Sequence, residues 1–187
     1  MEGKTKGDVL PPESVERVFF PVSNKYFVEG KIFKNVRVGM RKVTLQDGSF
    51  ILLYDTSGPY TDPDAEINLH RGLPPIRQNW IEDRRDTEIA GDKHRPHDIY
   101  GFPVPRKIRR AKNTPVTQLS YAKKGEITPE MEYIAIRENQ MLNLIEEFQQ
   151  NGYHKGGVPF TSKIPSKITP EFVMEEVRRG RAVIPLN

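Results

Sequence analysis

Sixteen prolines and fourteen glycines cut this 187-residue sequence into short segments. Proline removes a backbone donor and fixes φ, while glycine weakens the interior of helices and strands, so long regular helices should be few and loops many. Strand-like clusters come first, at Val18–Phe20, Tyr26–Val28, Ile32–Val38 and Val43–Leu45. Asp47-Gly48 separates "RKVTLQ" from "SFILLY". Both residues tolerate positive φ, so a two-residue type I′ hairpin is predicted there. The loop "YDTSGPYTDP", Tyr54 to Pro63, then leaves the end of a buried strand through two breaker pairs, Gly58-Pro59 and Asp62-Pro63.

Helix signals follow. Pro74-Pro75 suits the first turn of a short helix, with Ile76, Trp80 and Arg84 on one face and Ile81 beside them. Glu88 to Arg110 has no sustained period and contains three prolines, which predicts an extended surface excursion without regular structure. "ITPEMEYIAIREN" and "ITPEFVMEEVRRG" share a start signal. Thr128 or Thr169 caps the helix, Pro129 or Pro170 takes its first position, and Glu130 or Glu171 meets the N-terminal dipole. In the first helix Met131, Ile134, Met141, Leu142, Ile145 and Phe148 form an apolar stripe that Glu138 interrupts. The second runs from Pro170 to Arg179 with Phe172, Val173 and Val177 inward, and Gly180 ends it. "RAVIPLN" after it reads as an apolar strand opening an α/β unit.

The predicted fold class is α+β. Residues 1–13 form a flexible tail, 14–168 an N-terminal α+β domain with the hairpin, and 169–187 a first helix and strand leading on. No stretch of about 18 apolar residues spans a membrane, and no apolar core follows "MEGKTKGD" as a secretory leader requires, so a cytoplasmic protein is expected. The absence of cysteine excludes disulfides, thiolate nucleophiles and any iron–sulfur or cysteine-ligated zinc site built from this chain alone.

Few residues suggest chemistry by pattern. His94 and His97 straddle Pro96 in a loop-like region, where a metal pair lacks both rigidity and further ligands. Asp62, Asp64 and Glu66 alternate like a hard-cation loop but lack its glycine and distal glutamate. Ser57 stands in "TSG", which is no nucleophile elbow. "HKGG", residues 154–157, lacks the strand–turn–helix context of a phosphate loop and reads as a connector. The formal charge is +4, and Arg106 to Lys124 carries seven cations (Arg106, Lys107, Arg109, Arg110, Lys112, Lys123, Lys124) and no acid. That run is a solvated or docking face, or alternatively a free-standing basic module for nucleic acid or a phosphorylated ligand. Only Tyr121 interleaves it, which disfavours single-stranded nucleic acid.

Four blocks in fixed order carry a resemblance: "YDTSGPYTDP", "GLPPIRQNWIEDRRDTE", "RRAK" with "VTQLSYAKKGEITPEMEYIAIREN", and "ITPEFVMEEVRRGRAVIPLN". From about Pro21 to Asn187 the chain resembles the N-terminal portion of the phosphomethylpyrimidine synthase family. The resemblance implies a lyase of thiamine biosynthesis, a radical enzyme that uses S-adenosylmethionine and a [4Fe-4S] cluster to convert aminoimidazole ribotide to hydroxymethylpyrimidine phosphate. It also implies a homodimer, a divalent metal expected to be zinc, a (β/α)8 barrel absent from this chain, and a C-terminal cysteine cluster. The rest of the same polypeptide is the expected partner, with neither nucleic acid nor membrane. No catalytic, cofactor-binding or metal-ligating residue carries over, because the family's motifs for those roles lie beyond Asn187, so this chain alone is expected to be inactive. Departures stand at Arg85, where the family often has Gly, at Lys123, where it has Arg, and at Ser120, where it has a His that would donate a proton.

Overall fold

A computed structural model of the chain describes residues 23–62, 64–67, 73, 75–95, 104–150 and 165–185. Three antiparallel strands form the first sheet in the order β1 (Ser23–Glu29), β2 (Arg37–Thr44), β3 (Phe50–Tyr54). Alternation decides its faces. Val38 and Met40 of β2 are buried, opposite Val28 and Tyr26 on β1, with Tyr54 of β3 facing Met40. The Val18–Phe20 cluster lies outside the described residues.

The hairpin sits at Asp47-Gly48, but its loop is longer than two residues. The Leu45 N–H donates to Ser49 O at 2.9 Å and the Gly48 N–H to Leu45 O at 3.1 Å, leaving Gln46, Asp47 and Gly48 as a three-residue loop. Only Gly48 takes positive φ, at 84°. A type I turn followed by a left-handed residue closes such a loop. Asp47 is spared positive φ because its carboxylate accepts the Ser49 N–H and hydroxyl instead.

Helix α1 (Gln78–Arg84) starts three residues later than Pro75, after a turn in which the Gln78 N–H bonds Pro75 O. Trp80 is buried, but Ile76 precedes the helix and is 68% exposed, so it is not part of the apolar face. Arg85 caps α1 with φ 55°, the one non-glycine at positive φ among the described residues. A Cβ is disfavoured there. The glycine often found here in the resembling family is therefore a conformational choice, and Arg85→Gly should raise stability by about 0.5–1 kcal/mol. Chemical denaturation checks this: a lower midpoint would refute the strain.

Strands β4 (Thr87–Arg95) and β5 (Val104–Ala111) correct the expectation that Glu88–Arg110 has no regular structure. They pair antiparallel from Thr87↔Ala111 to Arg95↔Val104, with an irregularity between Ile89 and Gly91. The sequence of the ribbon shows no sustained alternation to announce it, and the structure defines it by its backbone pairing.

Three further helices complete the fold: α2 (Gln118–Lys124), α3 (Pro129–Gln150) and α4 (Pro170–Arg178). Thr117 and Thr169 cap α2 and α4 by accepting the N–H of Ser120 and Phe172, and Gly125 and Gly180 follow α2 and α4 with φ of 77° and 71°. Thr128 is nearly inaccessible; its hydroxyl donates to Gln118 at 2.6 Å and accepts the Met131 N–H at 3.4 Å, so its role is wider than capping. Two cores share α3. Tyr133 and Ile136 pack on Val36, Val38, Met40 and Trp80, while Met131 and Ala135 join Ala122, Ile168, Val173 and Val177. Met141 is 54% exposed and leaves the stripe; the side chains of Ile145 and Phe148 lie outside the description. Residues 182–185 pair with no strand among the described residues, although Ala182 and Ile184 pack on the α3–α4 core. No barrel is present among the described residues. No described helix is long and apolar enough to cross a membrane.

Candidate functional site

Three buried carboxylates organise the polar interior, and each one clamps a different pair of elements. Asp55 directly follows β3 at the mouth of the "YDTSGPY" loop. Its side chain is 2% exposed and lies 2.8 Å from Lys25 Nζ of β1 and 3.0 Å from Arg41 Nε of β2. The Ser57 hydroxyl bonds both its oxygens, at 2.6 and 2.8 Å. Arg41 spreads further, donating to Ser23 Oγ at 3.0 Å, Ser57 Oγ at 3.0 Å and Thr61 Oγ1 at 2.9 Å, and Lys25 also donates to Gly58 O. Burial opposes the charge on Asp55, yet Lys25, Ser57 and Arg41 outweigh it and hold the carboxyl at about 2. A carboxylate so held is a poor general base at neutral pH.

Glu130 is the second. Thr128 begins α3 two residues earlier, so Glu130 falls in the first turn and points toward α1. Arg77 donates to it at 2.7 and 3.0 Å and Arg84 at 2.8 and 3.2 Å. Burial pushes its pKa up, but Arg84 and Arg77 hold it below the ordinary carboxylate range. Next to it the Tyr121 hydroxyl donates to Asp86, and burial followed by that bond pushes the phenol up to about 12. Tyr121 therefore keeps its proton at neutral pH. Arg84 stacks over its ring at 5.4 Å.

Glu132 is the third, and it binds backbone. The N–H groups of Lys31 and Ile32 donate to one of its oxygens at 2.6 and 2.8 Å, and that of Phe33 to the other at 2.8 Å. This fastens the β1–β2 loop to α3. Successive amides converging on one anion form a nest, here filled by the chain's own carboxylate. Gly30 permits the approach, since a Cβ there would stand 2.4 Å from Phe33 O and 2.6 Å from Glu132 Oε2.

The residues singled out by pattern are dispersed. Ser57 belongs to the Asp55 network, with no histidine beside it among the described contacts. His94 lies on β4 opposite Pro105, and His97 and residues 154–157 lie outside the described residues. Asp62 accepts the Asp64 N–H in a local turn, and no group of three His, Cys, Asp or Glu able to hold a metal occurs among the described residues. Glu138 is exposed. The basic run is divided among β5, the following loop and α2. Arg109 bonds Thr87 and approaches Glu82, Arg110 pairs with Glu88 at 2.7 Å, and Lys112 bonds Arg85 O.

Lys25, Arg41, Arg77 and Glu132 were missed in the sequence, and Arg84 was read only as one face of a helix, because each meets its partner far along the chain. Glu130 was noted for the helix dipole alone. Asn139 was missed too: its side-chain amide pairs with both backbone groups of Ile168, donating at 2.6 Å and accepting at 2.8 Å, and so ties α3 to the start of α4. These arrangements stabilise loops and helix starts.

Residues 19–88 match the family model of the ThiC-associated domain. The match spans the first sheet, the Asp55 loop and α1, and it points to the ThiC family and to a role related to thiamine biosynthesis.

Proposed function

We propose that this chain is the N-terminal scaffold and docking portion of a phosphomethylpyrimidine synthase, the radical S-adenosylmethionine lyase that converts aminoimidazole ribotide to hydroxymethylpyrimidine phosphate. The carrying observation is the match of residues 19–88 to the ThiC-associated domain. The geometry supports a structural role for this segment. Asp55, Glu130 and Glu132 are each engaged by two or more partners within the chain, which suits positioning better than proton transfer. A cytoplasmic homodimer is part of the same reading.

The implied cofactors do not fit this donor set. A [4Fe-4S] cluster is held by cysteine thiolates, and the chain has none. The cluster is therefore assigned to the cysteine-cluster region of the full polypeptide, and zinc and S-adenosylmethionine are assigned beyond this chain on the family resemblance alone. The basic-module alternative is less favoured, because Arg109, Arg110 and Lys112 are engaged locally and the cations do not share one element.

The test is anaerobic reconstitution with iron and sulfide, followed by S-adenosylmethionine and aminoimidazole ribotide. The chain alone should take up no cluster and form no pyrimidine phosphate, and joining it to the barrel and cysteine-cluster region of a family member should establish both. Product from the chain alone, or an inactive but folded joined protein, would overturn the reading.

A further inference from the structure

We propose that Asp47 is a site of spontaneous backbone isomerisation, where an isoaspartate forms through Gly48, and that Ser49 is the residue that restrains it. Asp-Gly occurs once in the sequence, in the β2–β3 hairpin loop, and both residues are exposed. Every other aspartate is followed by a residue that carries a side chain. A Cβ built on Gly48 would meet nothing within 4 Å, so no packing pins the loop around the reacting atoms.

The chemistry needs only these two residues and water. The Gly48 amide nitrogen attacks Cγ of the Asp47 side chain. A C–N bond forms, the nitrogen gives up its proton and the carboxyl loses one oxygen as water, which leaves a five-membered succinimide. Water then opens the ring at either carbonyl. Opening at the original main-chain carbonyl of Asp47 leaves Gly48 joined through Cγ, an isoaspartate; nothing is oxidised or reduced, and the mass is unchanged. Glycine favours the attack because it has no Cβ to crowd the nitrogen.

Two features of the folded loop oppose it. The Gly48 N–H donates to Leu45 O at 3.1 Å, a bond that must open before the nitrogen can turn toward Cγ. The Asp47 carboxylate accepts the Ser49 hydroxyl at 2.6 Å and the Ser49 N–H at 2.9 Å, both on Oδ1. These bonds hold the side chain toward Ser49. They also keep the carboxyl below its ordinary range, and an ionised carboxylate is a poor electrophile because only the protonated acid sheds water readily. Ser49 therefore acts on both geometry and charge.

The isoaspartate adds one atom to the main chain of a three-residue loop. The Gly48–Leu45 bond and the Leu45–Ser49 closure cannot both survive that, so the register of β3 against β2 is what the reaction endangers.

The experiment ages the 187-residue chain at neutral pH and reads the peptide carrying Asp47 by chromatography and electron-transfer fragmentation, which tells isoaspartate from aspartate. Ser49→Ala, checked for folding by circular dichroism, is expected to accumulate isoaspartate at 47 about three- to tenfold faster than the parent, the rate ratio for losing roughly one charge-assisted hydrogen bond. Ser49→Thr keeps a hydroxyl and should age like the parent. Asp47→Glu, whose ring closure would be six-membered, should not age at this position. In urea the parent and Ser49→Ala should age alike, because the folded-state bonds are gone from both. Equal rates for the folded parent and folded Ser49→Ala overturn the role of Ser49, and isoaspartate at other aspartates with none at 47 overturns the site. If Ser49→Ala does not fold, the parent decides: no acceleration at 47 on transfer to urea overturns the restraint.

Discussion

Asp55→Ala is expected to lower stability by about 3–5 kcal/mol, the range for leaving a buried ion pair half broken. Lys25 and Arg41 are partly buried, with side-chain exposures of 8% and 14%, and both reach Asp55. Without the carboxylate their charges face each other. The Ser57 hydroxyl loses its acceptor as well, so the loop should loosen together with the sheet. A small domain is stable by only about 5–15 kcal/mol, which makes this a large fraction of the whole. Urea denaturation measures it; a change under 1 kcal/mol would show that the network contributes little.

The same residue gives a pH dependence of known sign. Its carboxyl is held at about 2, below the ordinary 3.8, so the unfolded chain takes up its proton first. The contribution, about 2–3 kcal/mol, is fully present above about pH 5 and is lost as pH falls through 4 toward 2. Asp55→Asn should flatten that part of the acid limb. An unchanged limb in this variant would place the acid sensitivity elsewhere.

Glu132→Ala should destabilise by about 2–4 kcal/mol, since three charge-assisted bonds to consecutive amides disappear. Glu132→Gln, which keeps an acceptor but not the charge, should fall between. Gly30→Ala tests the same clamp from its other side. The new Cβ would stand 2.4 Å from a backbone oxygen, and the carboxylate it also meets is already committed to the loop amides. The loop and α3 would have to separate. Hydrogen exchange at Lys31, Ile32 and Phe33 should quicken in both variants; unaltered protection would mean that water replaces Glu132 without loss.

The starts of α3 and α4 were legible because they depend on neighbours in sequence, whereas α1 starts three residues later than read and α2 was not read. Thr169 accepts the Phe172 N–H and Gly180 ends α4 in the left-handed region, as predicted from adjacent letters. The mixed α+β class was legible for the same reason, as strand-like clusters precede capped helices. The hairpin turn was right in place and wrong in length, since Leu45–Ser49 pairing, and not Asp47-Gly48 alone, sets the loop. The β4–β5 ribbon was missed, because the segment carries no sustained apolar period and three prolines interrupt it.

The sequence by itself determined where α3 and α4 begin, where the hairpin turns, and that this chain supplies no thiolate of its own. Tertiary structure alone decided which charges are buried and with whom. Lys25 and Asp55, Arg77 and Glu130, and Lys31 and Glu132 are separated by 30, 53 and 101 positions. Local propensity carries no information about such pairs, because electrostatic stabilisation depends on distance and desolvation in the folded state. Glu130 and Glu132 illustrate the point: two acids in one helical turn look alike as letters. The packing of α3 against α1 on one side and against the β1–β2 loop on the other gives one an arginine clamp and the other a nest of amides.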